Sequence, residues 1–113
     1  MKFRPGRAVR RKPGEMNKTE RAYADFLSQR QQAGEIEAFT FDALKLRLAD
    51  NTFYTPDFLV QRADGELEIH EVKGGFIEDD AMVKIKVAAS LFPFRFFLCQ
   101  RKKVKDPWTF REI

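Results

Sequence analysis

Apolar residues first recur at helical spacing in Ala22, Tyr23, Phe26 and Leu27, behind Asn17 as N-cap and Glu20 three residues further on, the arrangement of a capping box. Arg30 falls on the same side, where its stem covers apolar surface while its head stays in water. Gly34 suits the end of this helix. From Ile36 the period shortens to two. Phe39 and Phe41 alternate with polar residues, as do Leu44, Leu46 and Leu48, predicting one or two strands before an Asp50-Asn51 turn. Further strands are predicted over 53–62 and 66–73, joined by Ala63-Asp64-Gly65 and broken after Lys73 by Gly74-Gly75. Asp79 and Asp80 then open a second helix, where acids suit the positive end of the dipole. Its apolar stripe is Ala81, Ile85, Ala88 and Phe92, with Met82 and Ala89 beside it, and Pro93 stops it. The dense apolar run over 94–100 reads as a buried strand, and 109–113 as a short edge strand. The order predicts an α/β domain, a central mixed β-sheet flanked by helices.

Composition changes this picture mainly at the N-terminus. The 113 residues fit one domain, and the stretch 1–14, with Pro5, Gly6, Pro13 and Gly14, reads as a flexible basic arm ahead of a single domain at 15–113. Residues 1–13 hold six of the 21 basic residues, Arg7, Arg10, Arg11 and Lys12 among them, and none of the 17 acidic ones, which leaves residues 14–113 with a net charge of −2. Such an arm attracts polyphosphate. Arg101, Lys102, Lys103 and Lys105 form a second basic cluster. No apolar run approaches the ~18 residues that span a bilayer. The one cysteine, Cys99, excludes an internal disulfide and suits a reducing cytoplasm. Twelve phenylalanines predict an aromatic core.

Candidate chemistry lies in Thr55-Pro56-Asp57 and Glu71-Val72-Lys73. A two-residue Asp64-Gly65 turn would pair strand residues whose numbers sum to 129 and would place Asp57 opposite Val72. A three-residue Ala63-Asp64-Gly65 loop gives sums of 128, with Asp57 opposite Glu71, Leu59 opposite Ile69 and Gln61 opposite Leu67. Such loops end on a left-handed glycine, where Gly65 falls, so the second register is favoured. Two carboxylates with Cβ atoms ~5 Å apart repel when both are ionised. A hard divalent cation such as Mg²⁺ relieves that repulsion. Lys73, two residues after Glu71, projects from the same face, where it can orient water or neutralise charge on a phosphate. Gly74 and Gly75 leave room for a polyanion backbone, and Lys84 of the second helix either reaches phosphate or lies as a solvated flank of the apolar stripe. His70 points to the other face, where a structural role is the expectation.

Pro56-Asp57, a short hairpin and Glu71-Val72-Lys73, within the order helix, strands, helix, strand, resemble the PD-(D/E)XK nuclease superfamily over residues 17–100. The resemblance implies a restriction-endonuclease-like core. It implies Asp57 and Glu71 as metal ligands with the Val72 backbone carbonyl, Lys73 as the catalytic lysine, and Glu20 as a catalytic first-helix glutamate and further ligand, although the capping box alone accounts for Glu20. The full set is similar to that of small phage junction-resolving endonucleases. That implies a Mg²⁺-dependent endodeoxyribonuclease, with Mn²⁺ able to substitute, acting on branched DNA such as Holliday junctions in recombination. A homodimer and a cytoplasmic location in a bacterial or phage-infected cell follow, with neither a membrane nor an organic cofactor. The alternatives are an end-cleaving or general DNA nuclease subunit of a larger complex and a non-catalytic nucleic-acid-binding module on the same fold.

Overall fold

The computed structural model describes residues 14–113. The arm residues Arg7, Arg10, Arg11 and Lys12 therefore lie outside the described residues. Helix α1 spans Lys18–Gln32, and Asn17 and Glu20 form the expected reciprocal capping box: Asn17 Oδ1 accepts the Glu20 N–H at 2.8 Å and Glu20 Oε1 accepts the Asn17 N–H at 2.9 Å. Gly34, at φ +81°, follows the Ala33 C-cap. Strands β1 (Ile36–Phe41), β2 (Leu46–Ala49), β3 (Thr52–Tyr54), β4 (Phe58–Arg62) and β5 (Leu67–Lys73) follow, then α2 (Asp79–Leu91), β6 (Arg95–Gln100) and β7 (Thr109–Glu112).

The main sheet has the order β1-β4-β5-β6-β7, with β5 and β6 parallel and the other neighbours antiparallel. It is a mixed sheet with α2 as the crossover between its parallel pair. Two layers of core follow from the alternation along the central strands. On one face Tyr23 and Leu27 of α1 pack on Phe58, Val60, Val72 and Cys99; on the other, Ile85 and Ala88 of α2 pack on Ile69, Phe96, Leu46 and Tyr54. Of the phenylalanines, Phe58 and Phe96 are buried and six others pack against the two clusters, while Phe53, Phe76 and Phe110 are exposed. Among the described residues no helix is long and apolar enough to cross a membrane.

One predicted element needs correcting. The single strand expected over 53–62 is divided at Thr55-Pro56-Asp57, and its first part, β3, pairs with β2 in a separate two-stranded ribbon. Pro56 has no N–H to give a ladder, so the pairing is interrupted and the chain changes sheet there. The break leaves Asp57 at the mouth of β4, directly before the hairpin pairing begins.

Candidate active site

The β4–β5 hairpin adopts the three-residue loop. Arg62 N–H donates to Glu66 O, Gly65 N–H to Arg62 O, and Gly65 takes φ +90°. The pairs Phe58–His70, Leu59–Ile69, Val60–Glu68 and Gln61–Leu67 all sum to 128. One step beyond, Asp57 and Glu71 meet on the α2 face. Asp57 Oδ2 accepts the Val72 N–H at 2.8 Å, and Glu71 Oε1 accepts the Asp57 N–H at 3.4 Å. Each carboxylate is thus held by backbone belonging to the other's strand. Lys73 Nζ lies 3.5 Å from Glu71 Oε2, on the same face.

Two residues of this site were not anticipated. The Tyr54 hydroxyl donates to Glu71 Oε1 at 2.6 Å. Tyr54 reaches it from β3, the ribbon created by the Pro56 break, so a reading that kept 53–62 as one strand could not place it. Asp42 holds the backbone of Asp57 from below, donating its N–H to Asp57 O at 2.9 Å while taking φ +58°. The one legible signal for Asp42 is its residue type, since aspartate tolerates the left-handed region better than most.

The electrostatics are unbalanced. Burial pushes the Asp57 carboxyl up to about 8; the charge of Glu71 adds to this and that of Glu20 adds again, against the Val72 N–H and Lys73, which pull it down. Glu71 is also raised, through burial first, with the Tyr54 hydroxyl and Lys73 opposing. Tyr54 is raised by burial and then by the Glu71 charge, so its hydroxyl stays a donor. Two half-buried carboxylates therefore share one ammonium. A hard cation fits that deficit, and the donors are all oxygens, Asp57, Glu71 and backbone carbonyl. Among the described residues no three His, Cys, Asp or Glu side chains stand together as a metal-binding group. Glu20 is buried, its Oε1 is engaged in the capping box, and its charge acts on Asp57.

The remaining candidates separate. Lys84 Nζ donates to Phe53 O at 3.4 Å, which ties α2 to the ribbon. Gly74 is exposed and packs near Thr19, whose Oγ1 would lie 3.4 Å from a Cβ placed there. His70 is buried on the α1 face, with Tyr23 Oη 2.6 Å from Nδ1 and Glu68 Oε1 2.9 Å from Nε2. Cys99 is buried and its thiol is pushed up to about 12, chiefly by burial, so it stays protonated at neutral pH. A cavity of about 610 Å³ opens on that α1 face beside Glu68, His70 and Arg62, away from Asp57 and Glu71. No family model, curated protein or solved structure matches this chain.

Proposed function

We propose that this chain is a metal-dependent endodeoxyribonuclease of the PD-(D/E)XK type, with a restriction-endonuclease-like core, and that it prefers branched DNA. The observation that carries the reading is the pairing of Asp57 with Glu71 in a partly buried setting that pushes Asp57 up to about 8, with Lys73 on the same face. Partly desolvating two facing carboxylates against a single ammonium is costly for a structural feature, and perturbed groups of this kind cluster at functional sites. Bound there, Mg²⁺ or Mn²⁺ would supply Lewis acidity toward a phosphodiester and a more acidic water.

The chain's own residues have distinct tasks in this reading. Asp57, Glu71 and the Val72 carbonyl would hold the ion. The Val72 N–H and Tyr54 hydroxyl fix the two carboxylates in orientation, since each occupies one carboxylate oxygen. Lys73 faces the phosphate and offsets charge that builds on it. Glu20 keeps the local field negative and caps α1. Pairing of two copies is supported by Val83, Val87 and Leu91, which expose apolar side chains at four-residue spacing along α2. Two subunits at a fixed angle can span two arms of a junction, which linear duplex cannot satisfy.

The test is incubation of the purified chain with labelled four-way junction, duplex, single-stranded DNA and RNA, each with Mg²⁺ or with EDTA. Cleavage of the junction that needs Mg²⁺ and is lost in Asp57→Asn is expected. In Ca²⁺, junction binding at least ~10-fold tighter than duplex, about 1.4 kcal/mol, is expected from a dimer. Equal binding by a monomer would leave a nuclease acting on linear DNA or within a larger complex. Undiminished cleavage by Asp57→Asn would remove the site itself.

A further inference from the structure

The parallel register pairs Lys73 with Gln100, so β5 and β6 leave the sheet at the same end. Beyond Lys73 come Gly74, Gly75 and Phe76; beyond Gln100 come Arg101, Lys102 and Lys103. Gln100 Nε2 donates to Gly75 O at 2.8 Å and ties the two exits together. The Arg101 guanidinium sits 4.4 Å over the Trp108 ring, and Trp108 packs edge-on against Tyr23 at 4.9 Å, which anchors that cation to the core. Asp106 closes the turn by accepting the Lys103 N–H at 3.2 Å.

Two adjoining cavities share Arg101 and Lys102. One, of about 310 Å³, is lined by Lys18, Gly74 and Lys103 besides those two. Among the described residues none of these four cations is in an ion pair, whereas Arg30, Arg47, Arg62 and Arg95 all are. The other, of about 550 Å³, is lined by Phe76 and Pro107 together with Gly75, Gln100, Asp106 and Thr109, and Phe76 is 89% exposed. A cationic lobe joined to an apolar, aromatic lobe has the polarity of a nucleotide.

We infer that this end of the sheet is a binding subsite for an unpaired nucleotide, with its phosphates among Lys18, Arg101, Lys102 and Lys103 and its base on Phe76. A base within a duplex already has both faces covered by its neighbours, so a ring presented in this way takes one that is unstacked. Phe76 is three residues past Lys73, at most ~10 Å along the chain. The unpaired nucleotide therefore lies beside the scissile phosphate, as at a branch point or a frayed end. The position of the cut rests on the nuclease reading; the binding does not.

The test uses the full chain in EDTA, with a duplex carrying a single-stranded overhang that contains 5-iodouridine, and the same base placed inside a duplex. Irradiation and peptide mapping should cross-link the overhang base to Phe76 and the duplex base not at all. Phe76→Ala should weaken overhang binding about tenfold and leave duplex binding unchanged, and Phe76→Trp should restore it. The pair Lys102→Gln with Lys103→Gln should flatten the slope of log K against log salt by about 1.4 on single strands, while Arg30→Gln, at the other end of the sheet, should not change it. No cross-link at Phe76 with unchanged Phe76→Ala affinity overturns the base lobe. An unchanged slope overturns the phosphate lobe, and no binding to any of these DNAs overturns both. Binding as described from a protein that never cleaves DNA would leave the subsite standing and remove the nuclease reading.

Discussion

The two faces of the main sheet each take a carboxylate out of full contact with water, and they treat it in opposite ways. On the α1 face, Glu68 is buried beside the His70 ring at 2.9 Å and the Arg62 guanidinium at 3.6 Å. Burial raises its pKa, but His70 and Arg62 outweigh that and hold it below the usual carboxylate range. On the α2 face, Asp57 has a hydrogen bond from the backbone but faces a second carboxylate, and it is pushed to about 8. Hydrogen bonding does not separate the two faces: among the described residues, every buried side-chain N or O has a partner. Charge balance does. A buried acid with its own counter-charge belongs to the architecture, whereas an acid paired with another acid, with one ammonium between them, leaves negative charge uncompensated.

The sharpest way to break this comparison is to neutralise one acid on each face. Asp57→Asn should lower Mg²⁺-supported cleavage at least ~10³-fold, about 4 kcal/mol of transition-state stabilisation, with the fold intact. Glu68→Ala should leave cleavage nearly unchanged but reduce stability by about 3 kcal/mol, because His70 and Arg62 lose their buried partner. Urea unfolding and a cleavage assay on both proteins read this. Loss of activity in Glu68→Ala beyond its loss of folded protein would mean that the faces are not independent.

A smaller effect concerns pH. The folded Asp57 carboxyl titrates near 8, above its unfolded value, so the native state binds the extra proton between about pH 4 and 8. Its favourable contribution is complete below the unfolded pKa and is lost as pH rises through the folded one. Metal-free protein should therefore lose stability from this group as pH rises toward 8. Asp57→Asn should remove that slope and gain at least ~1 kcal/mol at pH 8, one pKa unit being worth about 1.4 kcal/mol. Adding Mg²⁺ should raise the melting temperature of the wild type more at pH 8 than at pH 6, since the ion competes with the proton, and should do little for Asp57→Asn. A melting temperature of Asp57→Asn that tracked wild type across this range would contradict the charge deficit.

The smallest expected change is at Glu20. Glutamine also closes a capping box, so Glu20→Gln should cost less than ~1 kcal/mol of stability while removing one of the charges that raise Asp57. The pH profile of cleavage should shift to lower pH with little loss at its maximum if Glu20 only sets the field. A strong loss at every pH would make Glu20 a ligand.

Much of this protein follows from local rules that a sequence expresses directly. The capping box of Asn17 and Glu20, the Gly65 turn and the sum-128 register are set by hydrogen bonds and backbone preferences among residues near in the chain, and that register by itself brings Asp57 to Glu71. Tertiary structure alone decided the rest. Where the β2–β3 ribbon lies against the main sheet depends on how the chain turns at Pro56, so the Tyr54 bond to Glu71 could not be read beforehand. The same holds for the charge on Asp57, which depends on how much water the α2 layer excludes. It holds as well for the meeting of Lys18 with Lys102 at Gly74, residues far apart in sequence that the parallel β5–β6 pair and the packing of α1 bring together. Burial and long-range juxtaposition are properties of the packed whole, and no stretch of the chain carries them alone.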